Sequence, residues 1–161
     1  MLIFIVSCKN SNDQQTIQQL TNDEKSIVQL FDATVIQKVS RTDSLQKIIS
    51  GIDSLTITTP SVIVMREVVK ANFSRRSGHF TTAEVYFKRA KELHNGRDSL
   101  SYYIYYGLGS TYKSIGNFPE GSRNLYQAVA IGEQLKDTLK ITQAYSNLSQ
   151  LQAEKGDYDD A

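Results

Sequence analysis

The sequence has few of the residues that metal sites, disulfide frameworks and turn-rich folds require. Its 161 residues include one cysteine, two histidines, two prolines, nine glycines and no tryptophan. One cysteine and two histidines are too few for a metal cluster or a disulfide framework. The low proline and glycine contents argue against disorder, a collagen-like chain and an all-β fold with many turns. We therefore expect an ordered domain that holds no metal and no cofactor.

A large charge of one sign and a long apolar run are also missing. Eighteen Lys and Arg residues face 17 Asp and Glu residues, so the net charge is +1. Domains that bind nucleic acid through bulk electrostatics are strongly basic as a rule. No apolar stretch approaches the ~20 residues of a membrane-spanning helix. The composition predicts neither a nucleic-acid partner for this segment nor a helix that crosses a bilayer.

The N-terminus is an apolar run that ends at the only cysteine. Residues 1–8 are Met-Leu-Ile-Phe-Ile-Val-Ser-Cys, and residues 9–20 form a polar segment. This pattern resembles the lipobox of bacterial lipoproteins, which implies a signal remnant over 1–8, lipidation of Cys8 and a polar tether over 9–20. The protein would then be anchored in the cell envelope, facing the periplasm or the exterior. Secretory signals have about 7–15 apolar residues behind a basic region. This run is shorter and lacks that region, so an apolar terminus with a buried cysteine, in a cytoplasmic protein, is the alternative.

Apolar residues recur with helical spacing along most of the remaining chain. One stripe with a spacing of four begins at Ile27, and a second begins at Leu45. No alternating run is long enough to predict a strand. We therefore expect an all-α fold of antiparallel helix hairpins, with one hairpin over residues 21–59 and further hairpins over residues 60–161.

Local signals place several helix ends. Thr21 and Thr81 are each followed three residues later by a glutamate, which is typical of a capping box at a helix start. Pro60 suits the first helical position, because its missing N–H would have no partner there. Gly96 suits the position just after a helix.

The chain also matches itself at offsets near 40 residues. The pairs at an offset of 40 are Tyr105 with Tyr145, Leu108 with Leu148, Gly116 with Gly156, Phe118 with Tyr158, and Gly121 with Ala161. At an offset of 38, Gly78 and Phe80 align with Gly116 and Phe118, and Ala83, Phe87 and Ala90 align with Gly121, Leu125 and Ala128.

Two of these segments resemble the halves of a tetratricopeptide repeat. Tyr105-x-x-Leu108-Gly109-x-x-Tyr112 is similar to the first half, with tyrosine in place of tryptophan. The Ala-x-x-x-Phe of the second half is present from residue 83. The resemblance implies helix pairs stacked into a right-handed superhelical solenoid. Its repeats would cover residues 64–97, 102–137 and 142–161, the last of them truncated, with 21–59 a candidate for a further, degenerate copy.

The resemblance implies structural roles for the recurring residues. The glycines turn the chain between two helices, the small residues let helices approach closely, and the aromatic and aliphatic residues fill the hairpins. These repeat-signature residues are Gly78, Phe80, Ala83, Phe87, Ala90, Tyr105, Leu108, Gly109, Tyr112, Gly116, Phe118, Leu125, Ala128, Tyr145, Leu148, Gly156, Tyr158 and Ala161. Glu67, Lys70 and Ser74 depart from the apolar pattern, so the repeat over 64–97 is identified mainly by its second half.

The resemblance also implies a concave groove lined by the first helix of each repeat. The matching groove residues are Met65, Val68, Asn72, Arg75, Arg76, Tyr103, Tyr106, Ser110, Lys113, Ser114, Gln143, Ser146, Gln150, Ala153 and Glu154. Three of them are basic, and tyrosine and arginine are enriched at binding hot spots. The implied ligand is an acidic or C-terminal peptide segment, or a helix of another subunit. The alternative is a mixed, solvated face that binds nothing.

No catalytic constellation is apparent. Gly107-Leu-Gly109 lacks the spacing of a phosphate-binding loop, and Ser110-x-x-Lys113 lacks the accompanying motifs of serine acyl enzymes. We therefore expect a scaffold for protein–protein interaction and no enzyme, forming the envelope-tethered N-terminal part of a longer protein. The alternative is the periplasmic sensory region of a bacterial histidine kinase or transcriptional regulator, with its output domain beyond residue 161.

Overall fold

The computed structural model describes residues 20–35 and 45–159, and every regular element in these two segments is a helix. The helices are α1 (Asn22–Val35), α2 (Leu45–Asp53), α3 (Pro60–Arg76), α4 (Phe80–Leu93), α5 (Ser99–Ser114), α6 (Phe118–Gln134) and α7 (Thr138–Asp159). The all-α prediction is therefore confirmed for this part of the chain. None of the described helices is long and apolar enough to cross a membrane. Cys8 and Ala161 lie outside the described residues, as does the side chain of Tyr158.

The same hydrogen-bonded turn joins three pairs of consecutive helices. At the end of α3, Gly78 has φ +80° and its N–H donates to the Arg75 carbonyl, while the next N–H donates to the Ser74 carbonyl. Equivalent bonds close α5 at Gly116 (φ +76°) and α6 at Lys136 (φ +54°). This is a Schellman motif, which needs a left-handed residue after the helix. Gly78 and Gly116 therefore turn the chain as predicted.

Consecutive helices from α3 to α7 pack against each other, and α5 also contacts both α3 and α7. The directions follow from paired contacts. A Cβ atom at Gly109 would meet Leu125, whereas one at Gly121 would meet the backbone of Lys113, so α5 and α6 are antiparallel. The described parts of residues 21–59 form α1 and α2, and both helices lie against α3.

Glycines set the spacing between α5, α6 and α7. A Cβ atom at Gly109 would lie 2.6 Å from Leu125 Cγ and 3.1 Å from the Gly121 carbonyl oxygen. A Cβ atom at Gly121 would lie 2.6 Å from Leu151 Cδ1 on α7. Gly107 approaches the Phe87 ring on α4 in the same way. The Gly107-Leu-Gly109 segment therefore serves helix packing.

Half of the eighteen repeat-signature residues belong to the core. The buried ones are Ala83, Phe87, Ala90, Leu108, Gly109, Tyr112, Leu125, Ala128 and Leu148. Phe80, Tyr105 and Phe118 are half-buried. Tyr145 is 48% exposed, because no described helix covers that side of α7. The three residues that depart from the repeat pattern in α3, namely Glu67, Lys70 and Ser74, are also buried.

The capping box at Thr21 is confirmed, and its glutamate also accepts hydrogen bonds from the segment that precedes α3. The Thr21 N–H donates to Glu24 Oε2 (3.0 Å), and the Glu24 N–H donates to Thr21 Oγ1 (3.2 Å). Glu24 Oε1 accepts the N–H groups of Thr58 and Thr59 at 3.1 and 2.8 Å. These backbone donors lower the Glu24 pKa to about 2. One carboxylate thus joins the start of α1 to the start of α3, where Pro60 occupies the first turn as predicted.

Three local predictions are wrong. The turn at Gly78 starts α4 at Phe80, so Thr81 lies inside the helix and forms no capping box. Gly96 ends no helix, because α4 already ends at Leu93 and the next residue is extended. Gly156 does not turn the chain, because α7 continues through it. A Cβ atom added at this position would meet nothing within 4 Å.

We expect Gly109→Ala to destabilise the fold and Gly156→Ala to stabilise it. At Gly109 the added methyl group would collide with Leu125, and overpacking of this kind costs about 1–3 kcal/mol. At Gly156 the same change meets open space and gains about 0.5–1 kcal/mol of helix propensity. Urea unfolding of both variants measures the two effects. A Gly109→Ala variant as stable as the parent would contradict the close spacing of α5 and α6.

We also expect Lys136→Gly to raise the free energy of unfolding by up to about 1 kcal/mol. A left-handed backbone costs a residue with a Cβ atom roughly 1–2 kcal/mol, and the greater freedom of glycine in the unfolded chain offsets part of this gain. The Lys136 side chain is exposed. Gly116→Lys, the reverse change at the equivalent turn, should lower stability by a similar amount. If Lys136→Gly and Gly116→Lys both lowered the free energy of unfolding by the same amount, the two turns would not share one geometry.

Candidate ligand groove

A groove of about 460 Å³ lies between α3, α5 and α7. Its lining residues are Arg75, Tyr106, Ser110, Lys113, Ser114, Thr142, Gln143, Ser146, Asn147 and Gln150. A recess of about 30 Å³ adjoins it and shares Arg75, Tyr106 and Gln143. Asn72, Arg76, Tyr103 and the end of α1 line the rest of the recess. Eleven of the fifteen predicted groove residues therefore line the groove or the recess. The other four, Met65, Val68, Ala153 and Glu154, do not, and Val68 is buried in the core.

Helical spacing explains why these side chains meet. Tyr106, Ser110 and Lys113 follow one another at intervals of four and three, which places them on one face of α5. Gln143, Asn147 and Gln150 repeat the same intervals on α7. Asn147 was not predicted as a groove residue, although its spacing from the two glutamines would have identified it.

Lys113 is held by side chains of α7. Its Nζ donates to Gln150 Oε1 at 2.8 Å and to Asn147 Oδ1 at 3.2 Å, and lies 3.7 Å from Glu154 Oε1. The Asn147 amide donates in turn to Ser110 Oγ at 3.1 Å. This network joins α5 to α7 along one wall of the groove. The Lys113 ammonium therefore already has three oxygen partners.

Arg75 is in the opposite situation. Its Nε is buried without a hydrogen-bond partner, and the described residues place no carboxylate at ion-pair distance from it. Burial, followed by the charge of Arg76, lowers the pKa of Arg75, although an arginine stays protonated at neutral pH. Arg76 itself donates from Nη2 to the Thr34 carbonyl at 2.7 Å. The groove thus contains a cation with an unused donor.

Tyrosines form the floor between the groove and α1. The Tyr106 ring stacks on Tyr102 with 5.6 Å between centroids. Tyr103 lies edge-on to Tyr102 and to Phe31 of α1, at 5.4 Å in both cases. Tyr102 is fully buried and donates from its hydroxyl to the Lys140 carbonyl at 2.8 Å. Burial raises the pKa of all three tyrosines, so they are neutral at physiological pH. The half-buried rings of Tyr103 and Tyr106 offer apolar surface.

Comparison with known proteins assigns no family to the chain. No protein-family model, curated protein or solved structure matches it. Over residues 20–35 and 45–159, no three His, Cys, Asp or Glu side chains are grouped so that they could hold a metal ion.

Stability should fall as the pH rises from about 4 to 6, because Asp32 lies beside Tyr103 in a poorly solvated position. Burial raises the Asp32 pKa from 3.8 to about 6, so between these values the folded state holds a proton that the unfolded state releases. Asp32→Asn should remove this loss and raise the Tm at pH 7 by about 2–4 °C, the shift that 1 kcal/mol produces at this size.

Thermal unfolding at pH 4 and at pH 7 measures the effect of Asp32. Glu92→Gln removes a carboxylate from an exposed position on α4 and serves as the matched control. The Tm difference between the two pH values should shrink in Asp32→Asn and persist in Glu92→Gln. If both variants keep the full difference, Asp32 is not the group that titrates.

Proposed function

We propose that this protein is a scaffold for protein–protein interaction, built as a tetratricopeptide-type array, and that the groove between α3, α5 and α7 binds a peptide segment of a partner. One observation carries the proposal: eleven of the fifteen residues selected by the repeat pattern line one groove and its recess. The volume of about 460 Å³ lies within the ~300–1,000 Å³ of typical ligand sites.

The way the helices pack supports a repeat array. Helices α3 and α4 and helices α5 and α6 are each joined by a turn with a left-handed glycine at the same place, Gly78 or Gly116. The first helices of these two pairs contact each other, and α5 also contacts α7. Solenoids made of such pairs stack their first helices side by side and offer the resulting surface for binding.

The chemistry of the groove suits an extended peptide. Exposed Gln143, Gln150 and Ser146 on α7 provide donors and acceptors for the main chain of a ligand. Tyr106 contributes aromatic surface, and Arg75 contributes charge, which are the features enriched where binding energy concentrates. The proposal assigns no catalytic step to these residues.

We further propose that Cys8 carries a lipid that tethers the array to the cell envelope. Support for this tether comes from the apolar run over residues 1–8 and the polar segment that follows it. A sensory region that precedes the output domain of a kinase or regulator would use the same groove, so binding is the property to test first.

Filling the groove should abolish peptide binding. Phage-displayed octapeptides are selected on the purified protein, and the enriched sequences are synthesised with amidated C-termini. We expect Gln143→Trp to weaken their binding at least tenfold in fluorescence anisotropy, because the indole ring would occupy the groove beside Tyr106. Gln127→Trp makes the same change at an exposed position of α6, outside the groove, and should leave the Kd unchanged.

The two variants distinguish peptide binding in the groove from nonspecific adsorption of the peptide to the protein surface. Equal loss of binding in both, with melting temperatures equal to that of the parent, would contradict the groove as the site. A selection that yields no binder of the parent protein, or binders that neither variant weakens, would contradict the proposed function itself.

A further inference from the structure

We propose that the recess beside Arg75 takes the carboxylate of an Asp or Glu side chain from the bound segment. This inference rests on the proposed function and adds the chemistry of its ligand. Three cations line the groove and the recess, namely Arg75, Arg76 and Lys113, and none of the described lining residues is acidic. The site is therefore electrostatically suited to an anion.

The three cations are not equivalent. The Lys113 ammonium is bound by oxygens of Gln150, Asn147 and Glu154, and Arg76 is engaged with a carbonyl at the end of α1. Arg75 has a buried Nε without an acceptor. A guanidinium presents two parallel N–H groups to a carboxylate, and such charge-assisted bonds are the strongest hydrogen bonds in proteins. Of the three cations, Arg75 would therefore form the most favourable hydrogen bonds with an incoming carboxylate.

Repulsion between neighbouring cations adds to this preference. Arg75 and Arg76 both line the recess, and the charge of Arg76 disfavours the charged form of Arg75. Asn72 lines the same recess and can donate from its amide group. A carboxylate in the recess would offset the repulsion and provide the missing acceptor.

The size of the recess favours a side chain over a chain terminus. Its volume of about 30 Å³ holds roughly two water-sized spheres, which is room for a carboxylate group and not for a peptide main chain. The adjoining groove of about 460 Å³ is large enough for the main chain. An acidic side chain can extend from the groove into the recess past Arg75, whereas a terminal carboxylate would bring its main chain with it.

Amidated octapeptides selected by phage display provide the probe. Each Asp or Glu is changed in turn to Asn or Gln, and the Kd is measured by fluorescence anisotropy for the parent protein, Arg75→Gln and Arg123→Gln. Arg123 is an exposed arginine on α6, paired with Glu120 and outside the groove, so its variant is the matched control for charge.

We expect one acid-to-amide change in the peptide to weaken binding at least tenfold. Arg75→Gln should weaken binding by a similar factor and make that peptide change neutral, since both remove the same interaction. Arg123→Gln should change neither Kd by more than about twofold. In the parent protein, the ¹H–¹⁵N signal of Arg75 Nε should shift downfield on addition of the acidic peptide and stay in place with its amide counterpart, a result that does not depend on any variant being folded.

Several outcomes would overturn the inference and leave the proposed function intact. One is a set of groove-binding peptides without Asp or Glu, and another is unchanged binding to Arg75→Gln. A third is a peptide without acidic side chains that binds through Arg75 only when its C-terminus is a free carboxylate. Loss of the groove itself as a binding site is instead detected by the Gln143→Trp and Gln127→Trp pair.

Discussion

The close contact of α5, α6 and α7 through glycine is the constraint on which the groove depends. Gly109 leaves room for Leu125, and Gly121, one turn away on α6, leaves room for Leu151 of α7. Because one short stretch of α6 sets both distances, α5 and α7 are held at a fixed separation. That separation brings Lys113 within 2.8–3.2 Å of amide oxygens on α7. A side chain at either glycine would displace this wall of the groove as well as the core.

The cations of the groove divide into those that hold helices together and one that is available. Lys113 joins α5 to α7, and Arg76 joins α3 to the last turn of α1, where no basic residue of α1 itself is present. Both side chains form hydrogen bonds that connect helices of the fold. Arg75, next in sequence to Arg76, keeps a buried donor without an acceptor. Buried polar groups in proteins are nearly always satisfied; among the described residues, this Nε and Glu67 Oε2 are the exceptions. The carboxylate proposed for the recess would provide the acceptor that Arg75 Nε lacks.

Features that depend on the spacing of residues along the chain were predicted from the sequence. Features that depend on contacts between residues far apart in the chain were not. Helical spacing and the repeat offset predicted the buried Leu108 and Leu125 and brought the groove residues onto facing helices, because both follow from a fixed period. The left-handed Lys136 was missed, since no glycine in the sequence marks that turn. Glu84 was expected to cap α4 and instead accepts from the Tyr112 hydroxyl at 3.0 Å, a contact between helices that no local pattern contains.

The buried polar residues of α3 show why the first two helices belong to the site. Lys70 extends from the core to Asp53 of α2 at 2.6 Å and covers the Tyr86 ring at 4.5 Å. Long side chains of this kind bury their methylene groups while the charge reaches a partner. Together with the bonds of Glu24 to Thr58 and Thr59, this contact fixes the position of α3. Arg75 lies near the end of α3, so its position relative to Tyr106 depends on α1 and α2 even though α2 contributes no groove residue. A variant that removes the Asp53 carboxylate should therefore affect ligand binding through the position of Arg75, at a distance from the groove itself.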